Sequence, residues 1–322
     1  MIERVAKRET SQIFDLILKR LLRLSGPAVV QFINGLFGSN HPLDSAVEYP
    51  NTESVSRKLR KLMSDMIVII NGVHTYHVEA EIEDDENIVL RVFEYGFAEG
   101  LRTRTVLDGG ERITLKFPNA RIIYWETTKK TPDEALLALE FPDGGRYDYK
   151  VKTLKFLKHE IEELEKRKLA LLLPFYVLKL RKKVVSAKTS PERARLAREM
   201  KALLDELMKA VGRSAEAGLM SEADSRSVLE YTERLYRELY REYHEFREAD
   251  VMLQNTILTY SEEAEQRGIR KGRKEGKAEG KAEGKAEMAQ EMAKKLLRRG
   301  VAPDIIAESA GLPLDRIRTL MN

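Results

Sequence analysis

Residues 65–81 read DMIVIINGVHTYHVEAE, and this stretch restricts the fold more tightly than any other. Met66 to Ile70 is a β-branched apolar run, and Asn71-Gly72 is turn chemistry that tolerates positive φ. Val73 to Ile82 then alternates as a second strand. Tyr76, Val78, Ala80 and Ile82 share one face, suited to a core; His77, Glu79, Glu81 and Glu83 share the other. The expected element is a β-hairpin with its acid groups on one side.

Register decides whether Asp65 joins those acids. A two-residue loop at Asn71-Gly72 sets Ile70 against Val73 and Asp65 against Val78, whereas a three-residue loop with a glycine bulge sets Asp65 against Glu79. With the longer loop, Asp65 and Glu79 become a candidate oxygen ligand pair for Mg²⁺, with Mn²⁺ as an alternative, and Glu81 lies beside them. Such a cation can orient a water and stabilise charge developing on a scissile phosphate. The competing reading is a solvated acidic strand edge running into the acids at 83–86.

Helical patterns at Ser11 to Leu24 and Pro27 to Phe37 precede the hairpin, and Asn87 to Leu101 follows it. Strand patterns then occupy Arg112 to Phe117, Arg121 to Thr127, Ala135 to Phe141 and Arg146 to Val151. This order suggests an α/β fold: a central mixed sheet flanked by helices, followed by a mainly α-helical C-terminal region. Leu169 to Leu178 is the longest apolar run. It is broken by Pro174 and falls short of the about 20 residues needed to span a bilayer, so we expect a buried, bent helix and no membrane partner. MIERVAKRETSQ has no apolar core of secretory type.

The amino-terminal TSQIFDLILKRLL, the hairpin with Asp65 and Glu79, VLRVFEYGF with Arg91 and Tyr95, RIIYWE, and KLALLLPFYVLKLRK together cover roughly residues 5–185. In these features the chain resembles the PD-(D/E)xK nucleases, and more closely their recombination-promoting, transposase-like branch. The resemblance implies a restriction-endonuclease-like domain over 1–185 that hydrolyses DNA phosphodiesters with Mg²⁺, in recombination or mobile-element biology. It assigns Asp65, Glu79 and Glu81 to catalysis, and Asp65 and Glu79 to the metal. An acidic residue of the first helix often contributes in this family, and Glu9 is the candidate here.

One position departs from the pattern. The third signature residue is normally Lys, or Gln in the recombination-promoting branch, and here it is Glu81. A carboxylate accepts, binds metal or acts as a base, but cannot supply positive charge. Three expectations stay open. Glu81 is an added metal ligand; or Arg91 or a lysine of the RKLRK segment at 57–61 supplies that charge; or the protein is a catalytically degenerate nuclease fold serving as a DNA-binding or assembly module.

The 322 residues are 34% charged with a net charge of only +4, so composition argues for nucleic acid only where basic groups are concentrated. Arg57, Lys58, Arg60 and Lys61 lie just upstream of Asp65, and Lys179, Arg181, Lys182 and Lys183 follow the apolar run. Either cluster taken alone reads first as a solvated helix end; Arg57, Lys58, Arg60 and Lys61, with Arg91, are the weak candidates for contacts to DNA phosphates, and the second cluster could add to them. There is no cysteine, which excludes disulfides, thiolate metal sites and thiol nucleophiles, and fits a reducing cytoplasm.

Residues 186–260 read as a helical region. One helix opens at Ser190-Pro191 and is expected to stop near Gly212, and a second starts near Ser221. The aromatic stripe on the second, including Tyr236, Tyr240, Tyr243 and Phe246, suits packing against a partner helix better than base stacking. At 261–287 the GKAE repeat reads as a helical spacer, coiled-coil-like in composition. Its glycines, four apart, would also admit a second helix closely and so allow homo-oligomerisation. Residues 288–322 read as a small module of three short helices punctuated by Gly300 and Gly311. Its second and third helices fit either a helical cap or, through Ala307, Gly311, Ile317, Arg316 and Arg318, a helix-turn-helix.

Overall fold

A computed structural model of the protein describes residues 2–50, 67–82, 85–110 and 112–320. The chain forms two compact units, 1–258 and 259–322. The first opens with α1 (Ile2–Leu21) and α2 (Gly26–Phe37), followed by β1 (Val47–Glu48), β2 (Ile67–Ile70) and β3 (His74–Glu81). Then come α3 (Ile88–Arg102), β4 (Thr105–Leu107), β5 (Arg112–Thr114), β6 (Asn119–Tyr124), β7 (Glu134–Glu140) and β8 (Arg146–Lys155).

β1, β2, β3, β6, β8 and β7 lie side by side in that order in one mixed sheet. β2 and β3 are antiparallel, β6 runs parallel to β3 across α3, and β8 runs parallel to β6. The expected central mixed sheet with flanking helices is present. The expected strand over 112–117 is shorter and belongs elsewhere: β5 pairs only with β4 in a separate two-stranded ribbon.

The hairpin has the longer loop. Ile70 pairs with His74 and Ile67 with His77, leaving Asn71, Gly72 and Val73 in the turn. Asn71 at φ 53° and Gly72 at φ 65° supply the left-handed conformations that the turn needs. Asn71 is further held by its side chain, which accepts from the Ala46 amide at 2.9 Å. Asp65 itself lies outside the described residues, as do Arg57, Lys58, Arg60 and Lys61.

β3 is an internal strand, so the solvated acidic edge does not occur. Alternation along β3 and β6 sets Glu79 beside Ile122 and Glu81 beside Tyr124, all facing α3. On that face Ile88, Val89 and Val92 of α3 pack with Ile122, Tyr124, Ala135 and Val151. Trp125, just past β6, points to the other side and stacks on Phe175 with ring centroids 3.8 Å apart. Both faces of the central strands β3 and β6 are therefore covered, including the acidic face of β3.

The apolar run forms a buried 3-10 segment, Ala170–Leu180, rather than an α-helix. Pro174 has no N–H to donate, which removes an α-helical bond from the middle of the run. α4 (Ile161–Lys166) precedes the segment, and α5 (Arg181–Ser186), α6 (Ser190–Glu216) and α7 (Glu222–Tyr240) follow it. α6 continues through Gly212, where it was expected to stop. A single glycine costs a helix only about 1 kcal/mol, and the buried stripe Leu207, Ala210, Val211 and Ser214 spans that position. On α7 the aromatic stripe is packing material. Tyr236 donates to Phe246 O at 2.8 Å, Tyr240 donates to Val177 O at 2.7 Å, and the Tyr240 and Phe246 rings stack.

Asp224 ties two helix starts together. Its carboxylate accepts from the Ser25 amide at 3.0 Å and the Ser25 hydroxyl at 2.5 Å, while the Ser25 side chain caps α2. It also accepts from Ser221 in the capping box of α7. Burial raises the Asp224 carboxyl, but hydrogen bonds from Ser25 and Ser221 outweigh burial and hold it below the usual range. This contribution is thus fully present above the ordinary aspartate pKa and is lost as pH falls through the lowered value. Asp224→Ala removes the acceptor that orients both capping serines and leaves the part-buried Ser25 amide and hydroxyl without it, with an expected loss of about 2 to 4 kcal/mol. Urea unfolding at neutral pH checks this, and the gap between parent and variant should narrow in acid.

α8 (Arg247–Arg298) begins in the first unit; in the second unit it carries the GKAE repeat in unbroken helix, followed by α9 (Pro303–Ala310) and α10 (Leu314–Thr319). Gly300 and Gly311 terminate helices at φ 75° and 63°. Ala293, Ile306 and Ile317 form a small core, with Ala307 packed against it. Arg316 and Arg318 are exposed on α10.

Candidate functional site

β3 and α3 build the site together. The hairpin register directs His77, Glu79 and Glu81 to the α3 side, and residues four apart on α3 bring Arg91 and Tyr95 over them. His77 is fully buried and Glu79 is 7% exposed. The Arg91 guanidinium pairs with Glu81, reaches Asp85 Oδ2 at 2.9 Å and lies 3.4 Å from Glu79 Oε1. Asp85 also accepts from the Asn87 amide at the start of α3. One cation thus holds three carboxylates.

The other side of Glu79 differs. Its Oε2 is buried without a hydrogen-bond donor, and so are both ring nitrogens of His77. His77 Nε2 stands 3.3 Å from Glu79 Oε2, within ion-pair distance but out of line for a hydrogen bond. The Tyr95 ring meets His77 edge-on at 5.3 Å between centroids.

Electrostatics join α1 to this cluster. Asp15 feels Glu79 and Arg91, and pairs with Lys19 at 3.5 Å. Although 45% of its side chain meets solvent, the surrounding protein raises its carboxyl, more than Lys19 lowers it. Burial likewise raises Glu81, and the hydrogen bond and charge of Arg91 offset this only in part. Tyr95 is raised by burial and then by the Glu79 charge.

The structure therefore brings Glu79, Glu81 and Arg91 together. Arg91, a third exposed, is paired with the carboxylates of Glu79, Glu81 and Asp85. The α1 acid whose charge reaches Glu79 is Asp15; the side chain of Glu9 lies outside the described residues. Asp15 could have been noticed as a lone carboxylate between the apolar residues Phe14 and Leu18. The second basic cluster is also engaged by acids: Lys179 pairs with Glu160, Arg181 and Lys182 with Glu126, and Lys183 with Glu199. Glu126 is 4% exposed and takes two bonds from Arg181, at 2.8 and 2.9 Å. These cations do structural work that charge clustering alone does not reveal.

Among the described residues, no group of three His, Cys, Asp or Glu side chains is arranged to hold a metal ion. Nor does any helix there have the length and apolarity to cross a membrane. No family model, curated protein or solved structure matches the chain.

Proposed function

We propose that the protein is a metal-dependent DNA endonuclease of restriction-endonuclease-like architecture, with its centre at Glu79. The observation that carries this reading is Arg91. The third signature position holds an acid, and a cation from the neighbouring helix pairs with that acid and lies beside Glu79. Charge absent from the strand is thereby returned from α3. The antiparallel hairpin followed by a helix and a parallel strand supports the same architecture.

Glu79 Oε2, a buried oxygen with no donor, fits a divalent cation such as Mg²⁺ or Mn²⁺. The sequence assigns Asp65 as its companion ligand. When bound, the cation would orient water and offset charge on the phosphate. Arg91 fixes the orientation of Glu79 and Glu81 and keeps positive charge in a site otherwise dominated by acids. Glu81, tied to Arg91, positions that guanidinium. On the inner side of Glu79, Tyr95 packs edge-on against the His77 ring.

A second reading is a catalytically degenerate nuclease fold acting as a DNA-binding or assembly module. It is favoured by the saturation of Arg91 with three carboxylates and by the lack of a three-donor group among the described residues. Glu81→Lys separates the two. In the enzyme reading Arg91 already supplies the cation, so a lysine beside it adds like-charge repulsion and lowers cleavage of supercoiled DNA by about tenfold or more. In the degenerate reading the parent is inactive and the same substitution restores cleavage. Asp65→Ala should abolish the activity of the parent; unchanged cleavage in that variant would remove Asp65 from the centre.

A further inference from the structure

From the pairing of two buried, unbonded donors, we infer that His77 is a nitrogen ligand of the cation at Glu79, so that the site takes a first-row transition ion of the Co²⁺ or Zn²⁺ kind in preference to Mg²⁺. This inference rests on the metal-centre reading above.

His77 Nε2 and Glu79 Oε2 are 3.3 Å apart. Two ligands each about 2.1 Å from one cation stand about 3.0 Å apart at a right angle and about 3.4 Å apart at the tetrahedral angle. The observed spacing falls between these values. Both atoms are buried and neither has a hydrogen-bond partner, an arrangement that costs free energy unless something else fills the gap. Arg91 does not fill it, because the guanidinium lies on Oε1, leaving Oε2 directed to His77. One carboxylate thus has two separate duties: Oε1 faces the fixed organic cation, and Oε2 faces the imidazole.

Imidazole nitrogen is a poor partner for Mg²⁺, which prefers oxygen, and a good one for borderline transition ions. The β3 alternation puts both ligands on one face at i and i+2, so the pair needs no loop movement to form. Tyr95 packs against the ring and fixes its plane.

The test is Co²⁺ titration of the full chain, read by visible absorption and calorimetry, with Mg²⁺ as competitor. His77→Gln should weaken Co²⁺ binding at least about tenfold. His41→Gln controls for adventitious binding at the His41 and His74 rings, which lie 4.9 Å apart; it should change Co²⁺ affinity less than about twofold. X-ray absorption of Co²⁺-loaded parent and His41→Gln should show imidazole scattering, a readout that stands even if His77→Gln fails to fold. If Glu79→Gln weakens Co²⁺ binding while His77→Gln does not, or if imidazole scattering is absent, the inference fails and the metal-centre reading survives. If neither Glu79→Gln nor His77→Gln alters binding, both fail.

Discussion

Glu79→Gln is expected to lower metal-dependent DNA cleavage about a thousandfold or more while the chain stays folded. The substitution preserves shape but removes the charge that draws a cation to Oε2, and it presents an amide that can donate where an acceptor is required. A loss of this size corresponds to about 4 kcal/mol of transition-state stabilisation. Folding should tolerate the change, because the carboxylate is 7% exposed, its Oε2 has no hydrogen bond to lose, and Arg91 keeps Glu81 and Asp85 as partners. Single-turnover cleavage alongside thermal unfolding separates the two effects. Retained cleavage would place the chemistry elsewhere.

Arg91→Ala should damage both activity and stability. Without the guanidinium, Glu79, Glu81 and Asp85 face one another with no cation between them. The side chain of Arg91 is 35% exposed, so solvent screens part of the loss; the expected destabilisation is about 1 to 3 kcal/mol. Cleavage should fall about a hundredfold or more, because Glu79 loses its orienting partner. Glu81, already raised by burial, should also hold its proton more tightly once Arg91 no longer offsets that burial. A folded-state pKa raised further above the unfolded value makes the variant relatively more stable in acid and progressively less stable as pH rises through that value. The double variant Arg91→Ala/Glu81→Ala relieves much of the repulsion, so a double-mutant cycle should give a coupling of about 1 to 3 kcal/mol. Additive losses would mean that the pair is decorative.

The hairpin was legible because local chemistry dictates it. Asn71-Gly72 fixes the turn, and period-two alternation fixes which residues share a face. What alternation could not disclose is how deeply those faces are covered. A polar face on a strand usually meets solvent, yet here α3 lies over it and buries His77 completely. The partners of Glu81 and Glu79 come from ten and twelve residues on, at Arg91 of the next element. Asp15 reaches the cluster from α1, a separation no local pattern encodes. The ion-pair partners of the basic run at 179–183 were hidden for a related reason: Glu126, Glu160 and Glu199 belong to other elements. Pro174 signalled a break in the apolar run, and the backbone answered with 3-10 geometry instead of a bend. The helix start at Ser221 followed its capping chemistry, while the cap expected on Ser190 falls one residue earlier, where Thr189 and Glu192 form a capping box. α6 overran Gly212, where a buried stripe outweighs one glycine.

The most direct test of the central claim is cleavage of supercoiled and linear DNA by the purified full chain, with Mg²⁺, Mn²⁺ or Co²⁺ added and then removed by chelation. A metal-dependent phosphodiesterase centred on Glu79 should nick or linearise DNA with at least one of these ions and stop when it is withdrawn. A folded chain that binds DNA yet cuts it with none of them, or cuts equally well in chelator, would contradict the account.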